Sequence, residues 1–289
     1  MKICVSCGSR FNSSGWRCPF CQSDPLKVNG FIAFAPILAQ KNDGFNVADF
    51  EKLAPLEANN FWFRTRNKLI IWALGKYYPS MTSFLEIGCG TGFVLSGIEQ
   101  AFPGLKLSAS DLHTSGLRFA NNRVNRSSLF QMDAREIPFD EEFDVVGAFD
   151  VLEHISDDEK VLNEIYRTVR HGGGAIFTVP QHEFLWSQAD TQACHERRYG
   201  AVELIRKVEE VGFTVEMTTS FVFLLLPLMM LSRLIQRDKN SKHDQLAELK
   251  IGGLTNLILE KVLDIERLMI RLGIRLPAGG SRLLIARKI

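Results

Sequence analysis

Two sets of residues have types and spacings suited to chemistry. Cys4-Val-Ser-Cys7 and Cys18-Pro-Phe-Cys21 are Cys-x-x-Cys knuckles separated by ten residues. Each knuckle turns two thiolates toward one point, and two knuckles complete a tetrahedral four-sulfur site for Zn2+. Gly8, Gly15 and Pro19 suit the tight turns required. A redox Cys-x-x-Cys pair would occur once and open a helix, so the reading is a zinc ribbon over residues 1–23, whose metal replaces a core too small to fold alone. The second set begins at 84–92, Phe-Leu-Glu-Ile-Gly-Cys-Gly-Thr-Gly, where Glu86 is followed by Gly88, Gly90 and Gly92. Alternate glycines let the backbone turn tightly off a strand and approach a ligand where any Cβ would clash. This is not the G-x-G-x-x-G of a dinucleotide fingerprint. Asp111 ends a second apolar stretch about 20 residues on, where a doubly wound sheet places the acid that holds a ribose. As a helix N-cap, Asp111 would have a purely structural role.

Gln131-Met132-Asp133-Ala134 and Asp150-Val-Leu-Glu153-His154 follow, each at the end of a further apolar run. Four strand-end sites in this order resemble the class I S-adenosylmethionine (SAM)-dependent methyltransferases, over roughly residues 60–220 and the C-terminal strand. The resemblance implies SAM as cofactor. Gly88, Gly90 and Gly92 would pack against its methionine half, and Glu86 would meet its amino group. Asp111 would take both ribose hydroxyls, Asp133 and the Ala134 amide would meet the adenine, and Leu112 and Met132 would sandwich the ring. Asp150 stands where DNA amino-methyltransferases carry D/N-P-P-Y/F/W, a tetrapeptide absent here, which favours an oxygen or carbon acceptor. Asp-x-x-Glu-His also resembles the ubiquinone-biosynthesis O-methyltransferases, in some of which the run holds a divalent ion. Alternatively, Glu153 and His154 only cap and orient the loop.

The long loop from Gln181 ends in His195-Glu-Arg197-Arg198-Tyr199. It lies where substrates bind in open α/β folds. His195 and His154 are the candidate catalytic residues, His195 as the group that takes the acceptor's proton. Arg197 and Arg198 could grip a phosphate or carboxylate by bidentate contacts, with Tyr199 beside them. The structural alternative is that His195 is a loop residue and Arg198-Tyr199 only dock the next helix.

Strands at 83–87, 105–110, 128–132, 143–149, 174–180 and 213–219 alternate with helices, which argues for a mostly parallel sheet covered on both faces. His171-Gly-Gly-Gly174 reads as the turn into the fifth strand, and 280–288 as the last strand. The fold expected is a Rossmann-like α/β domain of seven strands. By resemblance the last strand is antiparallel, inserted between the fifth and sixth. The domain spans 59–220 plus 280–289, after a loop-rich linker at 24–58. Residues 59–74 read as an amphipathic helix that either packs the core or forms a lid, with Phe63, Arg64 or Arg66 reaching the cofactor.

An insertion at 221–279 departs from this plan. Phe221–Ile235 is almost wholly apolar, Arg237–Asp244 is charged, and Leu254–Leu276 reads as a helix. Leu257, Val262, Ile265, Leu268, Met269 and Leu272 would line one side of it, with Arg267, Arg271 and Arg275 in an i, i+4 row. Such a pair either thickens the core or lies on a membrane surface. The 289-residue chain has net charge +1 and 23% charged residues, so no global field steers it to nucleic acid. No run reaches the ~18–20 apolar residues of a membrane span. The N-terminus lacks an apolar signal core, which points to the cytoplasm, peripheral to a membrane. The expected function is methylation of a hydroxyl on a small-molecule, lipid-linked or glycan-pathway acceptor. The rivals are a ribosomal-RNA methyltransferase with a zinc ribbon and a non-catalytic SAM-fold module.

Overall fold

The computed structural model describes residues 1–40, 48–236 and 251–289. In chain order, β1 (Lys2–Ile3), β2 (Arg10–Phe11), β3 (Leu26–Val28) and β4 (Phe31–Ala33) precede α1 (Ala48–Glu57) and α2 (Phe61–Tyr77). Then come β5 (Ser83–Ile87), α3 (Phe93–Ala101), β6 (Lys106–Asp111), α4 (Thr114–Arg123), β7 (Ser128–Gln131), β8 (Phe143–Phe149), α5 (Asp158–Thr168) and β9 (Val169–Pro180). The chain closes with α6 (Gln188–Gln192), α7 (Ala201–Glu210), β10 (Thr214–Phe221), α8 (Leu226–Gln236), α9 (Gly253–Arg271) and β11 (Ser281–Arg287). Arg237–Asp244, expected as a charged stretch, lies outside the described residues.

Nine strands form one sheet in the order β10-β11-β9-β8-β5-β6-β7-β4-β3. β5 to β9 pair in parallel, and β11 is antiparallel between β9 and β10, as expected. Side chains alternate between two cores. Phe84 and Val145 face a core built with α2, α3 and α4, while Leu85 and Val146 face one built with α5 and α7. Strands buried on both faces read as continuous apolar runs, which is why the middle of the sheet is plain in the sequence.

The sheet is two strands wider than expected. Residues 24–58 are not simply a linker: β4 pairs in parallel with β7, and β3 folds back on β4. The joint is Asn29-Gly30, both with positive φ (51° and 90°), a pair suited to a two-residue hairpin turn. Residues 1–23 are docked on the domain rather than tethered to it. The Ile3 amide donates to the Pro138 carbonyl (2.9 Å), and the Trp16 ring lies 4.5 Å from Phe34 and 5.4 Å from Phe139. His171–Gly174 lies inside β9 rather than before it, and a register shift opposite Phe143–Val145 absorbs the extra residues.

The insertion is fastened by buried carboxylates. Glu260 of α9 pairs with Arg64 and Lys68 of α2. Glu266 accepts the Val222 and Leu224 amides (2.5 and 2.9 Å) where the chain leaves β10. The side of α9 facing the domain thus carries Glu260, Leu263, Glu266 and Ile270. Of the apolar side expected either to thicken the core or to face a membrane, Leu257, Ile265, Leu268 and Leu272 are exposed, while Val262 and Met269 are partly buried against the core. Arg267 pairs with Asp264 (2.9 Å) instead of joining an open basic row. Glu266→Ala strips acceptors from two amides and should lower unfolding stability by about 2 kcal/mol, read by denaturant titration, with amide exchange accelerated first across 222–226 and α9.

Candidate active site

The glycine loop leaves β5 at the carboxyl edge of the sheet. Gly88, Gly90 and Gly92 all have positive φ (66°, 51° and 74°). A Cβ on Gly88 would stand 2.5 Å from the Val151 side chain, and one on Gly92 would stand 2.7 Å from the Ala120 backbone. Both constraints allow only glycine, so the loop makes a backbone cradle. Asp111, at the end of β6, braces it. Its carboxylate accepts the Gly90 amide (2.9 Å) and the His113 amide (2.8 Å), leaving further lone pairs for two hydroxyl donors. Leu112 and the buried Met132 flank this acid, with the Met132 amide on the Asp111 carbonyl (3.1 Å). Asp133 is pinned by Arg135, which grips both its oxygens (2.8–3.1 Å), and Ala134 is partly buried beside it. The Asp133 carboxylate is therefore less free for an adenine than expected, because a neighbouring cation already satisfies it.

α1 covers the cradle. Phe50 lies 3.6 Å from the Cβ position of Gly90. Glu57 ends the helix, accepting the Thr91 hydroxyl (2.7 Å) and the Arg123 guanidinium (2.5 Å). Of the three α2 residues considered for a lid, Arg66 is the one that reaches the strand ends. Arg64 turns away to Glu260, and Phe63 packs inside. Arg66 is buried, ion-paired to Asp150 and stacked on Trp62 (4.5 Å to the ring centroid). Burial pulls its pKa down to about 10, against the fields of Glu57, Glu86 and Glu153. Asp150 has a left-handed φ of 56°, held by its amide on the Thr178 carbonyl (2.8 Å) and by the Thr178 hydroxyl (3.2 Å).

Two buried carboxyls here have oxygens without hydrogen-bond partners among the described residues: Glu86 Oε2 and both oxygens of Glu153. Burial pushes each up to about 8, with Arg66 opposing. A carboxylate O of Glu153 and one ring nitrogen from each of His154 and His195 lie within 4.8 Å of one another. Burial, then the neighbouring His195 ring, pulls His154 down to about 4, so it is neutral at pH 7. His195 Nδ1 sits 2.9 Å from Asp190, whose oxygens also accept from Arg198 (2.8 and 3.0 Å) and Ser187. Despite the opposing effect of burial, these partners hold Asp190 below the usual carboxylate range. An ionised Asp190 fixes the His195 tautomer with Nδ1–H toward it, leaving Nε2 as an acceptor.

Arg197, Arg198 and Tyr199, expected to bind substrate, have partners within the protein. Arg197 donates to the Ile155 and Ser156 carbonyls, Arg198 is taken by Asp190, and the buried Tyr199 hydroxyl donates to Asp158 (2.6 Å). All three are spent inside the protein. The residue missed is Asp190, which lies beyond a turn from its partners; Arg66, already a lid candidate, gains in Asp150 a partner far away in sequence. The four cysteines do converge: Cys4 and Cys21 sulfurs are 3.6 Å apart, Cys7 and Cys18 sulfurs 3.8 Å. A tetrahedral Zn2+ with bonds of about 2.3 Å needs sulfurs about 3.8 Å apart, so this donor set fits.

The raised carboxyls give a pH dependence of defined sign. Unfolded, Glu86 and Glu153 lose their protons near the ordinary carboxyl value; folded, they keep them to about 8. Stability is therefore full below the ordinary value and falls as pH rises through the folded one. Urea titration from about pH 5 to about pH 9 should show this fall. Glu153→Gln should remove part of it, each tenfold difference in proton affinity between the folded and unfolded chain being worth about 1.4 kcal/mol. Identical slopes in wild type and variant would contradict it.

A methyltransferase domain model matches residues 85–177. A probable SAM-dependent methyltransferase of Mycolicibacterium smegmatis is 28% identical over 169 residues, 56% of this chain and 63% of that protein. The chain thus spans about three fifths of the length of that relative. A ubiquinone biosynthesis O-methyltransferase of Pseudomonas fluorescens is 30% identical over 100 residues, 32% of this chain and 42% of that one. A solved structure of Haemonchus contortus phosphoethanolamine N-methyltransferase 2 with SAM shares the fold, with TM-score 0.54 and 22% identity over 90% of this chain and 60% of that one. The match over 85–177, the relatives and the sheet together support a class I SAM-dependent methyltransferase domain in this chain.

Proposed function

We propose that this protein is an enzyme that transfers a methyl group from SAM to a hydroxyl of a small-molecule, lipid-linked or glycan-pathway acceptor. The observation that carries it is the cradle itself: Gly88 and Gly92 leave room only for backbone, beside a partnerless Glu86 oxygen and the braced Asp111. Gly88, Gly90 and Gly92 would border the methionine half, with Glu86 toward its ammonium. Asp111 would hold the ribose, with Leu112, Met132, Asp133 and Ala134 around the adenine. An oxygen acceptor is supported by the absence of a base-amine tetrapeptide at Asp150 and by the O-methyltransferase named among the relatives. Peripheral membrane contact through 221–276 would suit a lipid-linked acceptor.

The cofactor supplies an electrophilic methyl on a positively charged sulfur, so the protein's work is alignment and proton handling. The acceptor oxygen would take that methyl, the electron pair of the broken bond staying with the donor sulfur, while Gly88, Gly90, Gly92 and Glu86 would hold the donor in line. The hydroxyl proton passes to His195 Nε2, the nitrogen left free by Asp190. His154, neutral beside it, limits the ring's rotation. A second reading of the same cluster is a divalent-ion site, favoured by the two partnerless oxygens of Glu153. Asp150, tied to Arg66, would lie outside it. Activity unchanged by chelation, and unrestored by added Mg2+ or Mn2+, would reject this second reading.

Asp111→Ala should weaken SAM binding by ~2–4 kcal/mol in calorimetry, because it removes the ribose acceptor and frees the Gly90 amide. His195→Ala should leave that affinity alone and lower kcat by about 10²–10⁴-fold, with labelled SAM and a lipid extract as acceptor source. Label entering RNA instead would reverse the acceptor assignment. The N-terminal ribbon should hold about one Zn2+ per chain, set by its four thiolates. Cys18→Ser should release the metal and expose Trp16, read by metal analysis and fluorescence; folded, zinc-free wild-type protein would refute this.

A further inference from the structure

We infer that the outward face of α9, with α8 beside the acceptor mouth, is a docking surface for an anionic lipid bilayer. The inference rests on the reading above in one respect: it makes the acceptor a molecule that lives in or at that bilayer.

α9 places buried carboxylates inward and most of its large apolar side chains outward. Its inward side holds the buried carboxylates Glu260 and Glu266, each with partners in the domain. Its outward side carries Leu257, Ile258, Ile265, Leu268 and Leu272, and α8 adds Leu228, all half exposed or more. Their helical spacing makes one stripe along a helix about 28 Å long. Monomer surfaces rarely leave such a stripe in water. No helix among the described residues is long and apolar enough to cross a membrane, so the fit is to an interface.

Charge selects the occupant. The exposed charged residues of α9 and the following turn are Lys261, Arg271 and Arg275, all cations. The acids of the helix are withheld: Glu260 and Glu266 are buried, and Asp264 is tied to Arg267, Lys68 and Lys261. An apolar stripe bordered by cations alone complements anionic headgroups over an apolar interior.

Topology supplies the connection to the site. β10 runs parallel to β5–β9, so Phe221 and the start of α8 lie at the carboxyl edge of the sheet, where the cradle opens. α8 lies against the turn 183–185 of the acceptor loop, whose Phe184 is exposed. A surface docked through α8 and α9 would therefore present the acceptor loop to the bilayer.

The test is sedimentation of the full chain with vesicles of phosphatidylglycerol and phosphatidylcholine, against phosphatidylcholine alone, with SAM calorimetry on the same samples. Wild type should pellet with the anionic vesicles at low salt and much less at high salt. Arg271→Gln/Arg275→Gln should partition roughly 30-fold more weakly. Ile265→Asp/Leu268→Asp should abolish binding while keeping SAM affinity, which shows that the variant is folded. Wild type remaining in the supernatant at low salt would overturn the inference, as would unaltered binding by both variants. So would a wild-type dimer that Ile265→Asp/Leu268→Asp converts to monomer without vesicle binding, since a second copy would then cover the face. If vesicle binding behaves as expected but no sample binds SAM, the methyltransferase reading fails and the docking surface stands.

Discussion

Arg66 is a buried guanidinium among Glu57, Glu86, Asp150 and Glu153. These acids come from the end of α1, from β5 and from the segment after β8, so the cation sits where four chain segments meet. A buried charge without partners is costly, and so are carboxylates gathered without a cation. Each side makes the other tolerable. Trp62 and Phe63, on the same helix, fix the guanidinium plane. Through this cation α2 becomes part of the site, and through Glu57 so does α1. The cradle would exist without Arg66, but the acids around it would have little reason to converge.

The parts of the site legible in the sequence are those set by local rules. Gly88 and Gly92 are required by backbone conformation within a few residues of a strand end, and the acids at the ends of β6 and β8 follow from strand periodicity. The convergence of the four cysteines is legible because two Cys-x-x-Cys knuckles at this spacing can turn four sulfurs toward one point. What stays hidden depends on partners far away. Nothing near Arg198 in the chain shows that Asp190 grips it, and nothing near Arg197 points to the Ile155 and Ser156 carbonyls. β3 and β4 are three residues each, too short for alternation to show, although Asn29-Gly30 between them carries a hairpin signal. α9 misleads because an amphipathic pattern does not say which side faces in. The side that faces in carries Glu260 and Glu266 beside Leu263 and Ile270, and the richer apolar side faces out.

The added elements share one effect on the sheet. A parallel sheet ending at β7 would leave an open edge, a template for pairing with another chain. β4 covers that edge, β3 covers β4, and the cysteine-bearing segment lays Trp16 against Phe34, Phe130 and Phe139. Phe130 belongs to β7, which leads directly into Met132 and Asp133. The wall on which the ribbon rests is thus continuous with the wall expected to hold the adenine.

The charge count around Arg66 also gives the site a sense of direction. Arg123 takes Glu57, so Glu86, Asp150 and Glu153 share the one guanidinium of Arg66, and burial raises the proton affinity of Glu86 and Glu153. A guest that brings its own cation can release their protons. The same guest after losing its positive sulfur meets the same walls with less to offer. Donor and spent donor differ little in shape, so discrimination between them falls to electrostatics. With such a guest the cavity would act as a small cation exchanger, in which loss of the occupant's positive charge would lower its affinity and favour its replacement.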